Sequence, residues 1–339
     1  MKDFNGKVAF ITGGACGAGF GYAQIFSEAG MKVVIADNRQ DHLDEAMAYF
    51  KGKNVPVHAI YLDVTDREAF AAAADECEQV YGVPDLLILN AGVNVFGPAE
   101  ASSYDDFDWV NGVVYGGTVN GLVTFVPLMI KAGPGRHIAA TVSWGAFGAG
   151  PITGPYCAAK AAQLNIMESY WIALKSYGIG VSAITPANIC TRIYEAATLG
   201  RPKELSNTGY CVSDETQKLL ATVHVGGMKP RVLAEWLKKG IEDDLFLIVP
   251  YEHGTRMVEL ALERFKYYTS VEGMKEWEAK KAAGMTEEEF ALHCEREGMD
   301  PKTTDRSRNV FSVFGSNDVG LAKARGDLDW VKEEKRFNK

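Results

Sequence analysis

Short apolar segments alternate with longer amphipathic segments along the first two thirds of the chain. Most of the apolar segments are continuous, which is typical of strands covered on both faces. The predicted strands are Val8–Ile11, Lys32–Ala36, Val57–Leu62, Leu86–Leu89, His137–Val142, Val181–Ile184 and Leu245–Pro250. The predicted helices are Ala18–Ala29, Asp41–Lys51, Arg67–Tyr81, Tyr104–Lys131, Pro155–Ser176 and Pro230–Lys239. This alternation predicts an α/β fold, a Rossmann-type doubly wound parallel sheet of seven strands in the order 3-2-1-4-5-6-7.

The pattern becomes irregular after the sixth predicted strand. Residues 190–230 show little periodicity and contain several Gly, Thr and Ser residues. A loop this long in a compact domain is more often a lid over a ligand than a passive connection, so we predict a substrate loop here. With the seventh strand it completes a predicted dinucleotide-binding and catalytic domain over residues 1–252.

Residues 253–339 are predicted to form a helical and irregular C-terminal extension. Arg256–Tyr268 and Met274–Ala283 look helical, and Thr286–Glu289 is a capping box that opens a helix to Glu297. Beyond it the chain is polar, with Trp330 as one apolar anchor. Three roles stay open for the extension: it covers the substrate mouth, it docks on a neighbouring subunit, or it is a loosely attached surface segment.

Composition narrows the class of protein. Of 339 residues, 47% are hydrophobic and 23% are charged, and no run of about 20 residues reads as a membrane span. A net charge of −9 argues against a nucleic-acid partner. The first strand begins near Val8, which leaves no room for a signal peptide. Six cysteines without a CxxC pair indicate reduced thiols in the cytoplasm, and six histidines without an HExxH motif give no support to a metal site.

The turn after the first strand is the first sign of chemistry. Thr12–Gly19 is rich in small residues, follows a strand and opens a helix. Glycines allow the sharp turn and the close approach of a pyrophosphate, which the helix N-terminus attracts. The predicted cofactor-binding residues in this turn are Gly13, Cys16, Gly17, Ala18 and Gly19.

Asp37 at the end of the second strand favours NAD over NADP. A carboxylate there can accept hydrogen bonds from the adenosine ribose and would repel a 2′-phosphate. Cys16 stands where a basic residue could have neutralised that phosphate. Arg39 lies close by, and its positive charge is the one feature that favours NADP.

Further cofactor contacts are predicted after the other strands. Asp63 and Val64 can reach the adenine, and the small residues Asn90–Gly92 (Asn90, Ala91, Gly92) let the backbone pass beside the cofactor while the Asn side chain bridges strands. After the sixth strand Pro186 turns the chain, and Ile189 and Thr191 can hydrogen-bond the carboxamide.

Tyr156 and Lys160 carry the predicted reaction. Four residues apart, they share one face of a helix. A phenol has a pKa of about 10, and a nearby ammonium or an oxidised nicotinamide favours the phenolate, so Tyr156 can act as general acid/base. Lys160 can also hold the nicotinamide ribose, and Ser143 can hydrogen-bond the same substrate oxygen.

These residues together resemble the short-chain dehydrogenase/reductase family, in its branch with a TGxxxGxG turn, over about residues 1–250. A closer likeness is to bacterial Cα-dehydrogenases that oxidise the benzylic alcohol of lignin-derived β-aryl ethers. It rests on Met1–Phe4, Tyr104–Trp109, Asn120–Gly121 with Val123–Pro127, Tyr177–Ser182, Thr185–Ile189 and Asp243–Tyr251. It implies an aromatic secondary alcohol as substrate, NAD as acceptor, an aryl ketone as product and a homodimer or homotetramer.

One position departs from the family, which usually adds an Asn to its Ser, Tyr and Lys. That Asn lies thirteen residues before the Pro of the VP element, and counting back from Pro127 gives Val114. Asn111 and Asn120 are out of register. In the family the Asn helps to hold a water that links the lysine to solvent. The backbone carbonyl at 114 could serve instead where Gly116–Gly117 loosens the helix, so we expect retained but slower activity.

Four aromatic residues are candidates for the substrate pocket: Phe96, Trp144, Phe147 and Tyr194. No arginine stands at an obvious carboxylate-binding position, which favours an apolar aromatic substrate over a sugar or an acid. The sequence therefore predicts an NAD-dependent oxidoreductase that converts a secondary, benzylic alcohol to a ketone by hydride transfer. The alternatives are a reductase acting on a steroid, quinone or acyl ketone, and a non-catalytic NAD-binding regulatory subunit.

Overall fold

One parallel seven-stranded sheet organises the molecule, in the order β3-β2-β1-β4-β5-β6-β7. The computed structural model describes residues 1–304 except for positions 98, 151, 206–217, 219, 220 and 223. Its strands are Val8–Thr12 (β1), Lys32–Asp37 (β2), Val57–Tyr61 (β3), Leu86–Leu89 (β4), His137–Thr141 (β5), Gly180–Ile184 (β6) and Leu247–Ile248 (β7). The predicted topology is confirmed, although β7 is only two residues long where a six-residue strand was expected.

The continuous apolar runs reflect burial on both faces of the sheet. Phe10 of β1 and Val34 of β2 point into one apolar layer. Their neighbours Ile11 and Ile35 point into the opposite layer. Because successive side chains of a strand alternate between faces, both sets must be apolar when helices cover both faces.

The helices follow the predicted amphipathic stretches. In chain order they are Gly17–Glu28 (α1), Gln40–Lys51 (α2), Arg67–Val80 (α3), Tyr104–Asn111 (α4), Gly117–Ala132 (α5), Gly154–Leu174 (α6), Pro230–Glu242 (α7), Gly254–Tyr267 (α8), Val271–Ala283 (α9) and Glu287–Glu297 (α10). The expected capping box is present at the start of α10, where Thr286 and Glu289 each accept a backbone N–H of the other. It satisfies donors that the first helical turn leaves without a partner.

The expected single helix over residues 104–131 is interrupted. A π-helical turn, Gly112–Gly116, separates α4 from α5. Glycines at 112, 116 and 117 lower the cost of the wider turn because they restrict the backbone least. Val114 lies in this turn, and its carbonyl accepts a hydrogen bond from the Thr118 hydroxyl.

The helical segment Tyr104–Ala132 is long and apolar enough to cross a membrane by length and composition alone, contrary to the sequence expectation. Half of its most apolar window is buried inside the protein. Leu122, Phe125 and Met129 pack in the core against the sheet, which accounts for the apolar composition.

The described part of the C-terminal extension packs on the sheet domain. Leu292 of α10 is buried in a cluster with Tyr251 and Met257. Arg256 of α8 pairs with Glu288 of α10 at 2.9 Å, and this exposed pair ties the two helices together. The predicted surface segment with Trp330 lies outside the described residues.

Candidate active site

The carboxyl ends of the strands open into a cavity of about 630 Å³. Ligands of open α/β sheets bind at this edge. The cavity brings together the predicted catalytic residues and all predicted cofactor-binding residues except Gly19. Those on its wall are Gly13, Cys16, Gly17, Ala18, Asp37, Arg39, Asp63, Val64, Asn90, Ala91, Gly92, Ser143, Tyr156, Lys160, Pro186, Ile189 and Thr191.

The glycine turn has the backbone geometry that a side chain would not allow. Gly13 and Gly17 have φ values of +60° and +54°. A Cβ at Gly17 would lie 3.1 Å from the Thr191 side chain. Gly19 has a different role, because a Cβ there would overlap the carbonyl oxygen of Gly13. Gly19 does not line the cavity, and its lack of a side chain allows helix α1 to pack closely on the turn.

The end of the cavity beside β2 carries a buried carboxylate. Asp37 accepts hydrogen bonds from the backbone N–H groups of Ala15 (3.3 Å) and Arg39 (3.1 Å). Burial raises its pKa, and these two hydrogen bonds oppose the rise. Burial, followed by the charge of Asp37, raises the pKa of the Cys16 thiol to about 11. The thiol therefore stays neutral beside the carboxylate.

The Arg39 side chain is occupied elsewhere. Its guanidinium forms a bidentate pair with Asp41, at 2.8 Å from Nε and 2.5 Å from Nη2. The hydrogen bond holds the pKa of the Asp41 carboxyl well below its usual range. Arg39 is thus engaged by a local carboxylate, which weakens the one sequence argument for a 2′-phosphate.

Two further strand-end residues on the cavity wall, Asp63 and Asn90, are fixed by hydrogen bonds to their neighbours. The Asp63 carboxylate accepts the backbone N–H and the hydroxyl of Thr65 (2.9 and 2.8 Å). The Asn90 amide donates to the carbonyls of Thr12 and Gly13, and its oxygen accepts the Thr141 hydroxyl. The expected bridge between strands is therefore present, and it joins β1, β4 and β5.

Ser143, Tyr156 and Lys160 converge at the other end. Gly145 stands between the first two: a Cβ there would lie 3.4 Å from Ser143 Oγ and 3.7 Å from Tyr156 Cε1. Lys160 Nζ lies 5.6 Å from the centre of the Tyr156 ring. The serine follows β5, while the tyrosine and lysine lie in the first turns of α6. One substrate oxygen can thus contact both hydroxyls.

Burial dominates the titration of this group in the protein alone. It raises the pKa of Tyr156 to about 12, and the hydrogen bond with Ser143 opposes the rise. It lowers the pKa of Lys160 to about 7. In the protein without cofactor, burial therefore outweighs the other influences on Tyr156, and the expected lowering of its pKa by the ammonium and the oxidised nicotinamide stays a prediction.

Comparisons with known proteins agree with this geometry. The model of the short chain dehydrogenase family matches residues 7–201. The chain belongs to the short-chain dehydrogenase family. It is 51% identical over 252 residues to the C alpha-dehydrogenase of Sphingobium sp. strain SYK-6, which covers 74% of this chain and 82% of that protein. The family resemblance seen in the sequence is confirmed, and the chain is an oxidoreductase.

Two solved structures extend the comparison. The apo form of LigD from the same Sphingobium strain is 43% identical, with a TM-score of 0.66, and the match covers 79% of this chain and 99% of LigD. A short chain dehydrogenase/reductase from Burkholderia phymatum in complex with NAD is 28% identical, with a TM-score of 0.75, covering 80% of this chain and 98% of that one.

Val114, at the position where the family resemblance leads us to expect an asparagine, is fully buried. Its carbonyl accepts the hydroxyl of Thr118 at 2.8 Å. The Gln163 amide donates to the same hydroxyl at 2.7 Å and accepts from Lys160 Nζ at 2.9 Å. Lys160 also donates to the Thr141 carbonyl at 2.6 Å. Two polar side chains therefore connect the lysine to the carbonyl in the π turn.

The four predicted pocket aromatics separate into two groups. Phe96 and Trp144 line the cavity of the dehydrogenase. Phe147 lies behind Trp144, with ring centres 5.5 Å apart. Tyr194 packs on His224 and lines a neighbouring groove beside α7. The first two can touch a substrate, and Phe147 can act only by supporting Trp144.

Among the cavity-wall residues that sequence reasoning missed, three belong to the C-terminal extension. His293, Arg296 and Glu297 come from α10 of the C-terminal extension. We predicted from the sequence that no arginine lies at an obvious carboxylate-binding position, whereas the structure places Arg296 on the cavity wall. The only local signal in the sequence was that α10 is a capped helix with a polar face. This pattern does not indicate which part of the protein the helix packs against. Among the described residues, no group of three or more His, Cys, Asp or Glu side chains is arranged to hold a metal ion.

Proposed function

We propose that this enzyme uses NAD to oxidise a secondary benzylic alcohol to an aryl ketone. The observation that carries the proposal is the single cavity that runs from Asp37, past the glycine turn, to Ser143 and Tyr156. Its two ends suit an adenosine ribose and a reacting alcohol oxygen. The name of the Sphingobium relative, C alpha-dehydrogenase, supports the same reaction.

The residues present fit a dinucleotide. The positive φ values of Gly13 and Gly17 leave a cradle without side chains at the start of α1, where helix N–H groups favour a pyrophosphate. Asp37 offers a carboxylate to the ribose hydroxyls, and Arg39 is held by Asp41. When bound, an oxidised NAD supplies the hydride acceptor and a positive charge near the phenol. The Burkholderia neighbour, solved with NAD, supports this choice of cofactor.

Tyr156 takes the hydroxyl proton of the alcohol while hydride leaves the carbinol carbon. In the overall reaction, the alcohol and oxidised NAD give the ketone, reduced NAD and one proton. Ser143 donates a hydrogen bond to the substrate oxygen and holds it against the phenol. Since burial outweighs the Ser143 hydrogen bond and raises the pKa of Tyr156 to about 12, positive charge at the site must favour the phenolate for this step. The Lys160 ammonium provides part of that charge.

The walls near Ser143 suit an aromatic substrate. Phe96 is 6% exposed and Trp144 is half-buried, so they present flat apolar surfaces to the cavity. Aromatic rings stack on such surfaces in offset or edge-to-face arrangements.

A panel of aromatic secondary alcohols tests the proposal, with production of reduced NAD as the signal. We expect turnover with NAD and a loss of about a thousandfold in Tyr156→Phe, because the proton acceptor is removed. Tyr177→Phe, on an exposed tyrosine, is the matched control and should turn over normally. Faster turnover with NADP would contradict the cofactor, and NAD binding without oxidation of any alcohol would favour a regulatory subunit.

Three further expectations belong to the proposal. The division at residue 252 would be tested by limited proteolysis. A homodimer or homotetramer would be tested by light scattering. A cytoplasmic location is supported by five free thiols among the described residues, namely Cys16, Cys77, Cys157, Cys190 and Cys294.

A further inference from the structure

Helix α10 of the C-terminal extension forms part of the substrate wall. Leu292 anchors the helix in a buried cluster that Trp144 and Ala187 also contact. The next turn then presents Arg296 and Glu297 to the cavity that holds Ser143 and Tyr156. The extension therefore reaches the same space as the reacting groups.

Arg296 is positioned against Trp144, the residue that follows Ser143. The guanidinium carbon lies 5.4 Å from the centre of the indole ring. The Trp144 backbone is itself held, because its N–H donates to the Pro186 carbonyl at 2.8 Å. A guanidinium over an aromatic face is attracted by the ring and keeps its N–H donors free for other partners. The contact with Trp144 thus places a cation on the wall of the pocket.

The charge of Arg296 is balanced within α10. Its Nε donates to Glu297 at 2.8 Å, and the two side chains are 15% and 14% exposed. Its Nη2 lies 2.9 Å from His293 Nδ1. Burial, followed by the charge of Arg296, lowers the pKa of His293 to about 4, so the imidazole is neutral near pH 7 and accepts this bond. Nη1 makes no hydrogen bond with any described residue and is available to a ligand.

We propose that Arg296 and Glu297 recognise a hydroxyl group on the aromatic ring of the substrate, and so make the C-terminal extension a determinant of specificity. The inference rests on the proposed oxidation of a benzylic alcohol. It assigns the extension a role that the glycine turn and the catalytic residues do not supply.

A phenolic hydroxyl matches the pair better than an ether or an anion. A hydroxyl accepts a hydrogen bond and donates one, whereas an aryl ether only accepts. Arg296 can donate to the ring oxygen, and the Glu297 carboxylate has acceptor capacity beyond its bond to Nε. A substrate carboxylate would meet the repulsion of Glu297 next to the attraction of Arg296. The net-neutral pair therefore selects an uncharged hydroxyl.

Two matched substrates test the inference. One is a benzylic secondary alcohol with a para-hydroxyl on its ring, and the other carries a para-methoxy group at the same place. At about pH 8 the phenol is uncharged, because its pKa is about 10. The quantity compared is the ratio of kcat/KM for the hydroxyl over the methoxy substrate.

Arg296→Met should lower this ratio about tenfold or more, because it removes the cation that holds the Glu297 carboxylate in place and only the hydroxyl can donate a hydrogen bond to that carboxylate. Arg296→Met combined with Glu297→Gln removes both charges and avoids a carboxylate without its partner. Arg256→Met removes an arginine of the same extension that faces Glu288 instead of the cavity, and it should leave the ratio unchanged. Melting temperatures of all variants check that they are folded.

The outcomes separate the two proposals. An unchanged ratio in both Arg296 variants overturns the inference and leaves the oxidation standing. If the wild type oxidises neither alcohol, the proposed function fails, and the inference is then judged by calorimetric binding of the matching para-hydroxy and para-methoxy ketones. Equal binding of the two ketones by wild type overturns it, and a preference for the hydroxyl that Arg296→Met abolishes supports it.

Discussion

Lys160 and Gln163 form a buried pair on one face of α6, with the ammonium nitrogen 2.9 Å from the amide oxygen. Lys160 is 2% exposed and Gln163 is fully buried. An unpaired ammonium at this depth would be costly. Gln163 and the Thr141 carbonyl therefore give the ammonium two acceptors at a depth where burial lowers its pKa.

Gln163→Leu tests the importance of this pair. Without the amide acceptor the charged lysine is less stable, so the pKa of Lys160 should fall further below its usual range. We expect kcat to fall about tenfold. The basic limb of the pH profile of kcat should move to lower pH, which a purely structural loss would not cause. Gln163→Glu restores an acceptor and should move the limb back; an unchanged profile in Gln163→Leu would contradict the role.

Val114→Asn tests whether an asparagine side chain at this position would take part in the proton relay. Val114 is fully buried in an apolar cluster with Val110 and Ala159. Burying an amide there should lower the free energy of unfolding by about 1–3 kcal/mol. If the proton route runs through Gln163 and Thr118, the solvent-isotope effect on kcat should not change. A faster rate with an altered isotope effect would show that the side chain at 114 belongs to the relay.

Cofactor selectivity should depend on Asp37 and on the Arg39–Asp41 pair. Asp37→Ser removes the repulsion of a 2′-phosphate, and Asp41→Asn weakens the contact that holds the Arg39 guanidinium. In the double variant we expect the ratio of kcat/KM for NADP over NAD to rise about a hundredfold. Asp44→Asn, which removes an exposed carboxylate of the same helix, is the control. If the double variant keeps the wild-type ratio, Asp37 and the Arg39–Asp41 pair do not determine cofactor selectivity.

Burial of Lys160 should be visible in the stability of the protein without cofactor. Its folded pKa of about 7 lies below the unfolded value of 10.5. Between these pH values the unfolded chain binds more protons than the folded protein does. The free energy of unfolding therefore increases as the pH rises from 7 towards 10. Relative to Lys160→Met, the wild type should gain up to about 1.4 kcal/mol per pH unit in this window. Urea unfolding of both proteins at several pH values measures it, and a constant difference would refute the burial of a charge.

Gly19 should tolerate no side chain, whereas Gly148 on the same cavity should. A Cβ at Gly19 would overlap the Gly13 carbonyl and lie 2.7 Å from the Asn90 amide, while a Cβ at Gly148 would meet nothing within 4 Å. We expect Gly19→Ala to lower the free energy of unfolding by about 3 kcal/mol and Gly148→Ala to change it by less than about 0.5 kcal/mol. Equal effects in urea unfolding would show that Gly19 is not the tight contact described.

Most strand and helix bounds could be predicted because burial on both faces leaves a local signature. β4 was predicted as it is found, and most other elements differ by one to three residues at an end. The π turn at Gly112–Gly116 could not be located, since glycine pairs permit a wider turn without requiring one. β7 is shorter than predicted because only Leu247 and Ile248 pair with β6.

The sequence by itself determined the sheet, the glycine turn and the trio of Ser143, Tyr156 and Lys160, because each depends on residue types at short spacing. The structure adds which local partners are chosen, since Arg39 turns to Asp41 and Gln163 accepts from Lys160. Only the tertiary structure decided that Arg296 faces Trp144. The contact between Arg296 and Trp144 joins residues far apart in the chain. Such contacts depend on how whole helices pack against the sheet, and no local pattern of residues encodes that packing.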